Sequence, residues 1–240
     1  MKLALMQPTF NPWIGYFDLI DYVDKFIFFD TVQLNQQSWQ TRNKLKIQDQ
    51  EHFVILPIQK TSSKQNMIIK EAILDFRKFD FRKKLFKTIE QNYRKAKYFN
   101  ETIDFIKELI FYETNYLSSY NVNIIKQICE KLNIQTELIV LSQTDYSNEL
   151  SKGDLVLDIC KYFKANDYVS PLGSKDYLDN YIEEFKSNNI NVEYQYFLHP
   201  KYEQLGKVFI SYIGIFDLLL NEGFKNSLKI IREGRKYKNS

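Results

Sequence analysis

Apolar runs alternate with helical patterns along this chain of 240 residues, and the alternation predicts an α/β fold. The N-terminal part shows it best, because strand-like runs at residues 2–6 and 26–29 flank a helical pattern at 14–23. Two strands joined by such a helix pair in parallel. The stretch 79–132 is almost continuously helical in pattern. We therefore expect a Rossmann-like open, mainly parallel sheet with flanking helices and a largely helical insertion.

A hairpin and one further strand are predicted after this first unit. Apolar residues favour strands at 43–47 and 52–57, and the polar run 48–51 between them favours a turn. Segment 60–66 has no large apolar residue, so we expect a mobile loop there. The pattern of 68–74 favours another strand.

The helical stretch is expected to be a subdomain or insertion at 79–132 within a single α/β domain that spans 1–240. Asp80 and Asn100 suit the N-caps of its first and second helices. The remaining predicted elements are strands at 137–141, 168–170 and 192–198, and helices at 153–163, 174–188, 215–220 and 227–231. The basic residues within 232–238 are typical of a solvated chain end.

The composition excludes several classes of function. The chain carries 33 Lys and Arg against 30 Asp and Glu, so a net charge of +3 gives no general case for nucleic-acid binding. Because there are only two histidines, His52 and His199, we expect no metal site of several histidines. The two cysteines, Cys129 and Cys160, lie on apolar helical faces and are expected to be core thiols.

The chain has no feature of a membrane or exported protein. No apolar run approaches the roughly 18 residues that cross a bilayer, so we expect no membrane insertion. No segment resembles an export signal, and free thiols are typical of the cytoplasm. We therefore expect a cytoplasmic protein.

The first segment with chemical interest is 6–18, which joins the first strand to the first helix. In an open α/β sheet, ligands bind beside the carboxyl ends of the strands. Two prolines stiffen this loop, and Gly15 allows a close approach to the helix start, whose free amides favour a phosphate. The candidates for substrate binding here are Gln7, Thr9, Trp13, Gly15 and Tyr16. The alternative is a proline-rich turn with two packed aromatic rings.

The loop is similar in layout to the nucleotide-binding loop of HIGH-motif nucleotidyltransferases. That resemblance implies a His-x-Gly-His motif that holds nucleotide phosphates. Here the matching residues are Trp13-Ile14-Gly15-Tyr16, so an aromatic residue stands at both histidine positions. The replacement counts against adenylyl transfer by the usual route.

A set of motifs in chain order resembles the WbqC-like protein family. The motifs are Gln7-Pro8-Thr9-Phe10, Pro12-Trp13, Gly15 to Asp18, Asp30, Val32-Gln33, Ser38 to Gln40, Arg42-Asn43, Tyr168 to Leu178, His199 to Tyr202, Gln204, Ser211 and Asp217 to Leu219. The family is associated with bacterial gene clusters for surface polysaccharide, the O-antigen of lipopolysaccharide. The resemblance implies a role in that biosynthesis and does not fix a reaction.

The second segment with chemical interest runs from Asp30 to Lys44. Asp30 ends the second strand and is a candidate catalytic base. Trp39 offers a flat face for a sugar or a base, and Arg42 can hold a phosphate by two parallel hydrogen bonds. Gln33 and Asn43 are further candidates for substrate binding. The alternative is a polar edge hairpin with an exposed arginine.

The third segment follows the strand at 168–170 and opens a helix. Gly173, Ser174 and Lys175 could form an anion cradle, with Tyr177 beside the substrate and Asp176 as a candidate base. The alternative is an ordinary helix start, with Ser174 as the N-cap and Tyr177 packed inward.

The fourth segment follows the strand at 192–198. His199 is the better of the two histidines for catalysis, because an imidazole can take a proton from an amine or a hydroxyl near neutral pH. Tyr202 is a further candidate for substrate binding. A histidine before a proline is also a common turn residue. Asp217 starts the apolar run 217–220 of the predicted helix, so capping competes with an active-site role.

These features favour an enzyme that acts on a nucleotide-linked amino sugar, with an acyl or aminoacyl donor and an N-acyl or aminoacyl transfer reaction. Two alternatives stay open: a non-catalytic module or scaffold that binds a nucleotide or sugar, and an ATP-dependent ligase or nucleotidyltransferase of the HIGH type. Nucleic-acid binding is the weakest hypothesis. The sequence names no cofactor, and a homo-oligomer is compatible with it.

Overall fold

The computed structural model describes residues 1–35, 38–59, 67–77, 79–147 and 149–240. Its strands are β1 Lys2–Met6, β2 Lys25–Phe28, β3 Arg42–Ile47, β4 Gln50–Ile55, β5 Glu137–Val140, β6 Asp167–Pro171, β7 Asn191–Gln195 and β8 Tyr237–Asn239. Its α-helices are α1 Ile14–Tyr22, α2 Phe81–Tyr93, α3 Phe99–Ile110, α4 Leu117–Lys131, α5 Lys152–Tyr162, α6 Lys175–Leu178, α7 Ile182–Ser187 and α8 Ile215–Glu233. The predicted loop at 60–66 lies outside the described residues.

Six strands form the main sheet in the order β5-β2-β1-β6-β7-β8. The first five of these pair in parallel, and only β8 runs antiparallel to its neighbour. The chain fills the sheet outward from β1 on one side and then returns to β6 on the other. This is the doubly wound order, with its switch point between β1 and β6. The predicted Rossmann-like, mainly parallel sheet is confirmed.

Helices cover both faces of the sheet, as the buried residues of β1 show. Ala4 belongs to a core cluster with α1, α8 and the three helices α2 to α4. Leu3 and Leu5 belong to a second cluster with α5, α6 and α7. Because successive side chains of a strand point to opposite faces, β1 is buried from both sides. That double burial explains why residues 3–6 form a continuous apolar run.

The predicted helical stretch forms three helices, α2, α3 and α4. Asp80 caps α2 as expected, since its carboxylate accepts a hydrogen bond from the Arg82 amide at 3.1 Å. The predicted cap at Asn100 is wrong, because α3 begins at Phe99 with Tyr98 as its N-cap residue, and Asn100 lies inside the helix. The division of the chain into a domain and an insertion stays a prediction.

Two predicted elements are interrupted in the structure. The predicted strand 68–74 contains a 3₁₀ turn at Ile69–Glu71. Its flanking residues form isolated bridges to three separate segments rather than a ladder with one strand. The predicted helix 174–188 is broken into α6 and α7 by a 3₁₀ turn at Asp179–Tyr181. The turn places the Tyr181 ring against Gly153, where a side-chain carbon would meet it at 2.3 Å.

The C-terminal region also departs from the prediction. The two predicted helices are one, α8, which kinks at Gly223 with φ 69° and ψ 178°. Glycine adopts that conformation without steric cost, so the helix continues past it. The basic tail is not a solvated end. Part of it forms β8 against β7, and the Arg235 Nε donates to the buried Asp18 carboxylate at 2.7 Å.

The strand predicted at 192–198 ends at Gln195, before the segment that carries His199. Among the described residues, every helix is too short or too polar to span a bilayer.

Candidate functional site

A cavity of about 420 Å³ lies beside the carboxyl end of β1. Its lining residues are Met6, Thr9, Trp13, Tyr16, Trp39, Asn43, Lys44 and Tyr212. Four of them are aromatic, and the others are one apolar residue, two polar residues and one lysine. Position and size are both typical of a ligand site, because doubly wound sheets bind ligands where the strand order reverses.

The loop after β1 is held by its own hydrogen bonds. The Gln7 carbonyl accepts from the Tyr16 hydroxyl at 3.0 Å and from the Thr9 hydroxyl at 3.3 Å. The Gln7 side-chain oxygen accepts from the Gln40 amide at 2.7 Å. Burial raises the pKa of Tyr16 well above its ordinary value, so the phenol stays neutral. Thr9 and Tyr16 therefore form a fixed wall of the cavity.

Gly15 has a clear structural reason. A side-chain carbon at this position would lie 2.1 Å from the nearest ring atom of Trp13, so the indole lies directly over the helix start. Sequence reasoning expected Gly15 to admit a ligand phosphate. The group that makes the close approach is the protein's own indole.

The hairpin β3–β4 supplies the opposite wall and its positive charge. The Arg42 guanidinium lies 5.9 Å from the ring centre of Trp39 and 5.0 Å from that of Phe53. The Lys44 ammonium forms an ion pair with Glu51 at 2.8 Å. Asn43 is buried and donates to the Phe10 carbonyl at 2.9 Å, which ties the hairpin to the loop after β1.

His199 packs against two of the rings that line the cavity. Its ring centre is 6.2 Å from Trp13 and 5.1 Å from Tyr212. Its Nδ1 lies 2.8 Å from the Pro200 carbonyl, which only accepts, so the ring proton is on Nδ1. Burial lowers the pKa of His199 below its ordinary value of 6.5, so the ring is neutral at neutral pH. Nε2 is a buried acceptor without a hydrogen-bond partner among the described residues.

Tyr212 is a cavity residue that sequence reasoning missed. Its backbone is in the left-handed region, with φ 59°, and its side chain is about half exposed. Its ring centre lies 5.1 Å from that of Trp13. A non-glycine residue in this region costs about 1–3 kcal/mol, and such strain concentrates at functional sites. One tyrosine among 17 carries no signal of this in the sequence.

Residues 7–229, which contain every site residue predicted from the sequence, match the model of the WbqC-like protein family. The chain belongs to the WbqC-like protein family. It is 32% identical over 225 residues to the uncharacterized protein Rv1507c of Mycobacterium tuberculosis. The aligned region covers 92% of this chain and 94% of the relative. No solved structure matches the chain.

In this WbqC-like protein, Tyr202 is not among the described residues that line the cavity. Its hydroxyl donates to the Asp217 carboxylate at 2.8 Å. Tyr93 donates to the same carboxylate at 2.9 Å, and the Gln204 amide also donates to it at 2.9 Å. Asp217 is fully buried, and burial raises its pKa. It does not cap α8, because Gly214 is the N-cap residue of that helix.

Asp30 lies apart from the aromatic cavity. It is buried and accepts from the hydroxyl of Ser118 at 2.9 Å, the hydroxyl of Ser142 at 2.7 Å and the amide of Ser142 at 3.1 Å. Gln33 forms an isolated bridge with Ile68 and does not line the cavity either. The structure therefore does not bring Asp30 and His199 to one site, and the role of Asp30 as a base stays a prediction.

The segment after β6 also lies outside the cavity lining. Gly173 is exposed, and a side-chain carbon there would meet nothing within 4 Å. Lys175 forms an ion pair with Asp179 at 2.6 Å. Asp176 and Tyr177 are exposed, so the alternative of an inward-packed Tyr177 is wrong.

Ser174 precedes α6, and its side chain makes no capping hydrogen bond. The proposed anion cradle at this segment stays a prediction.

The two cysteines are the core thiols that the sequence predicts. Cys129 and Cys160 are buried, and burial raises the pKa of both thiols. Thiolate chemistry needs a lowered pKa, so neither side chain is suited to act as a nucleophile.

Proposed function

We propose that this protein binds a nucleotide-linked amino sugar in the aromatic cavity and transfers an acyl or aminoacyl group to the sugar amine. The main support is the cavity itself, at the switch point of the sheet, which combines aromatic walls with Lys44 in its lining and Arg42 beside Trp39. The association of WbqC-like proteins with surface-polysaccharide gene clusters supports the choice of a nucleotide sugar.

The cavity wall suits both parts of such a ligand. Sugar C–H faces and nucleobases stack on aromatic rings, and Trp39 presents 48% of its surface for that contact. The phosphates of the ligand need cations beside the rings, and β3 supplies Arg42, which lies beside Trp39, and Lys44, which lines the same cavity. The pyrophosphate would therefore lie along the hairpin, with the sugar toward Trp13.

The transfer needs one group that takes a proton. The amine nitrogen attacks the acyl carbonyl carbon and forms the new C–N bond, while the bond from that carbon to the donor's leaving group breaks with its electron pair. The attacking nitrogen loses a proton, and Nε2 of neutral His199 accepts it. Since Tyr212 and Trp13 pack on the imidazole, their rings must open a path to the amine.

Ligand binding is tested first with Arg42. We expect nucleotide sugars to raise the melting temperature of the protein and Arg42→Ala to abolish the rise, because the guanidinium beside Trp39 is lost. The matched control is Arg94→Ala, an exposed arginine at the end of α2, which should keep the full rise. Trp39→Ala should weaken binding with little cost to folding, since that side chain is half exposed.

The binding proposal fails if no nucleotide, nucleotide sugar or coenzyme A changes the melting temperature. It also fails if Arg42→Ala and Arg94→Ala lose the same fraction of the rise.

Catalysis is tested with His199→Asn. Asparagine can still donate to the Pro200 carbonyl but has no acceptor at the position of Nε2. Because a general base contributes about 10²–10⁴-fold, we expect a loss of that order in acylated sugar, with binding retained. Mass spectrometry of an amino sugar mixed with a panel of acyl donors measures the product.

The pH profile gives a second readout of His199. Burial lowers its pKa below 6.5, so the imidazole is already unprotonated at neutral pH. The substrate amine also titrates, so the profile is read as the ratio of the wild-type rate to the His199→Asn rate. That ratio should be constant through neutral pH and fall only when the pH drops below 6.5. A ratio that rises through pH 7 to 9 would contradict His199 as the base.

A non-catalytic binding module is the second candidate. It is favoured by one observation: the described residues that line the cavity include neither a carboxylate nor a histidine. A sugar whose mass stays unchanged across the donor panel, with ligand bound, would favour this candidate.

The ATP-dependent HIGH-type variant has less support. At the two histidine positions, the Trp13 ring lies over Gly15 and the Tyr16 hydroxyl is bonded to the Gln7 carbonyl.

A further inference from the structure

A second cleft, of about 260 Å³, lies at the carboxyl ends of β2 and β5. Unlike the aromatic cavity, it is lined mainly by polar and cationic side chains. These include Lys70, Ser119, Asn123, Lys126, Ser142 and Gln143. None of the roles predicted from the sequence, apart from that of Asp30, falls in this cleft.

Asp30 holds three walls of the cleft together. Its carboxylate accepts from Ser118 at the start of α4 and from Ser142 after β5. Its backbone carbonyl accepts from the Lys70 amide at 2.9 Å. These hydrogen bonds hold the walls of the cleft in place, and the three donors to the carboxylate offset the cost of burying it. Asp30 is therefore suited to position the cleft rather than to take a proton in it.

Two lysines, Lys70 and Lys126, are the cations of the described cleft lining. Neither Lys70 nor Lys126 forms an ion pair with any residue that the structure describes. Ser119, Asn123 and Lys126 are spaced by four and three residues on α4, so they lie on one helix face. A polar stripe on the side of a helix that faces a cleft is suited to a polar ligand.

We propose that this cleft binds the phosphate group of a small phosphorylated metabolite, separate from the ligand of the aromatic cavity. Two lysines supply the charge, and the hydroxyl and amide groups supply directed hydrogen bonds to the phosphate oxygens. A carboxylate fits less well, because the described lining has no arginine to hold it with two parallel bonds.

Titration with inorganic phosphate tests the site. The ¹H–¹⁵N signals of Ser119 and Asn123 should shift as phosphate binds. Chloride at equal ionic strength should not reproduce these shifts. Lys70→Gln and Lys126→Gln should each raise the dissociation constant for phosphate roughly tenfold, because each removes a charged hydrogen bond. Lys87→Gln, an exposed lysine on α2, is the control with the same charge change and should have no effect.

Two results would overturn the proposal. One is an unchanged dissociation constant in the variant that lacks both lysines, and the other is no binding by the wild type at millimolar phosphate.

A second experiment tests whether the cleft and the aromatic cavity bind their ligands independently. Arg42→Ala should leave phosphate binding intact, and the lysine variants should leave nucleotide-sugar binding intact. If both sets of variants lose both ligands, a single ligand spans the two cavities and the separate site is wrong.

Discussion

Asp217→Ala should lower the free energy of unfolding by about 3–5 kcal/mol, one of the largest effects of any single substitution in this protein. Asp217 is fully buried, and its carboxylate accepts from Tyr93, Tyr202 and Gln204. Alanine leaves those three donors without their acceptor and opens a gap in the core. Each buried donor that loses its partner costs about 1–3 kcal/mol.

The network explains why the cost extends beyond one contact. The Tyr93 hydroxyl also accepts from the Lys46 amide at 3.0 Å, so the carboxylate links α8 to α2 and to β3. Gln204 donates to the Ile210 carbonyl at 2.9 Å and accepts from the Ile210 amide at 2.9 Å. Loss of Asp217 therefore loosens the segment that carries His199 and Tyr212 into the site.

Asp217→Asn removes the charge of the side chain but keeps its shape, so it separates the two contributions to stability. Asparagine keeps the volume and one acceptor oxygen, so it should cost less, about 1–3 kcal/mol. Chemical denaturation of the two variants and of Asp104→Ala, an exposed acid on α3, measures the difference. A loss below 1 kcal/mol for Asp217→Ala, matching the exposed control, would contradict the network.

The pH dependence has a defined sign. Burial raises the pKa of Asp217 above 3.8, so the folded protein holds this proton more tightly than the unfolded chain does. Its contribution to stability is present below 3.8 and is lost as the pH rises through the raised pKa. The wild type should therefore lose stability relative to Asp217→Asn as the pH rises through that window. A constant difference would mean that the pKa is not raised.

The sequence predicts the central sheet well, because its strands are short apolar runs buried on both faces. It also predicts that residues 7–16 and 39–43 lie near a ligand site, since both follow from strand ends and local composition. The Asp217 network could not be predicted, because Tyr93 and Asp217 are 124 residues apart. The docking of Arg235 on Asp18, 217 residues away, was missed for the same reason.

Asp30 and Asp176 show the limit of reasoning from strand ends. Both follow or lie near a strand at the correct edge of the sheet, but the structure places one under three hydrogen-bond donors and the other in solvent. Topology gives the edge to which a side chain belongs. Which cavity it reaches depends on packing that no local spacing encodes.

Gly15→Ala should destabilise the protein by about 1–3 kcal/mol and weaken ligand binding at least tenfold, although alanine is the better helix former. In an unobstructed helix the change from glycine to alanine would stabilise the protein by about 1 kcal/mol. Here the added carbon would lie 2.1 Å from the Trp13 ring, and the indole must move. The ring centre of the indole also lies 5.2 Å from that of Phe197 and 5.1 Å from that of Tyr212, so its displacement alters the cavity wall.

A double-mutant cycle identifies the cause. If the clash with the indole sets the cost, Gly15→Ala should cost nothing, or even stabilise, in a Trp13→Ala background. Gly173→Ala is the control, because a carbon added there meets nothing within 4 Å. Thermal unfolding measures stability, and nucleotide-sugar titration measures binding. An equal cost in both backgrounds would show that Gly15 is required for some reason other than the indole. A cost that disappears with the indole would show that the helix start and the cavity wall are one structural unit, in which glycine allows the ring to cover the helix start.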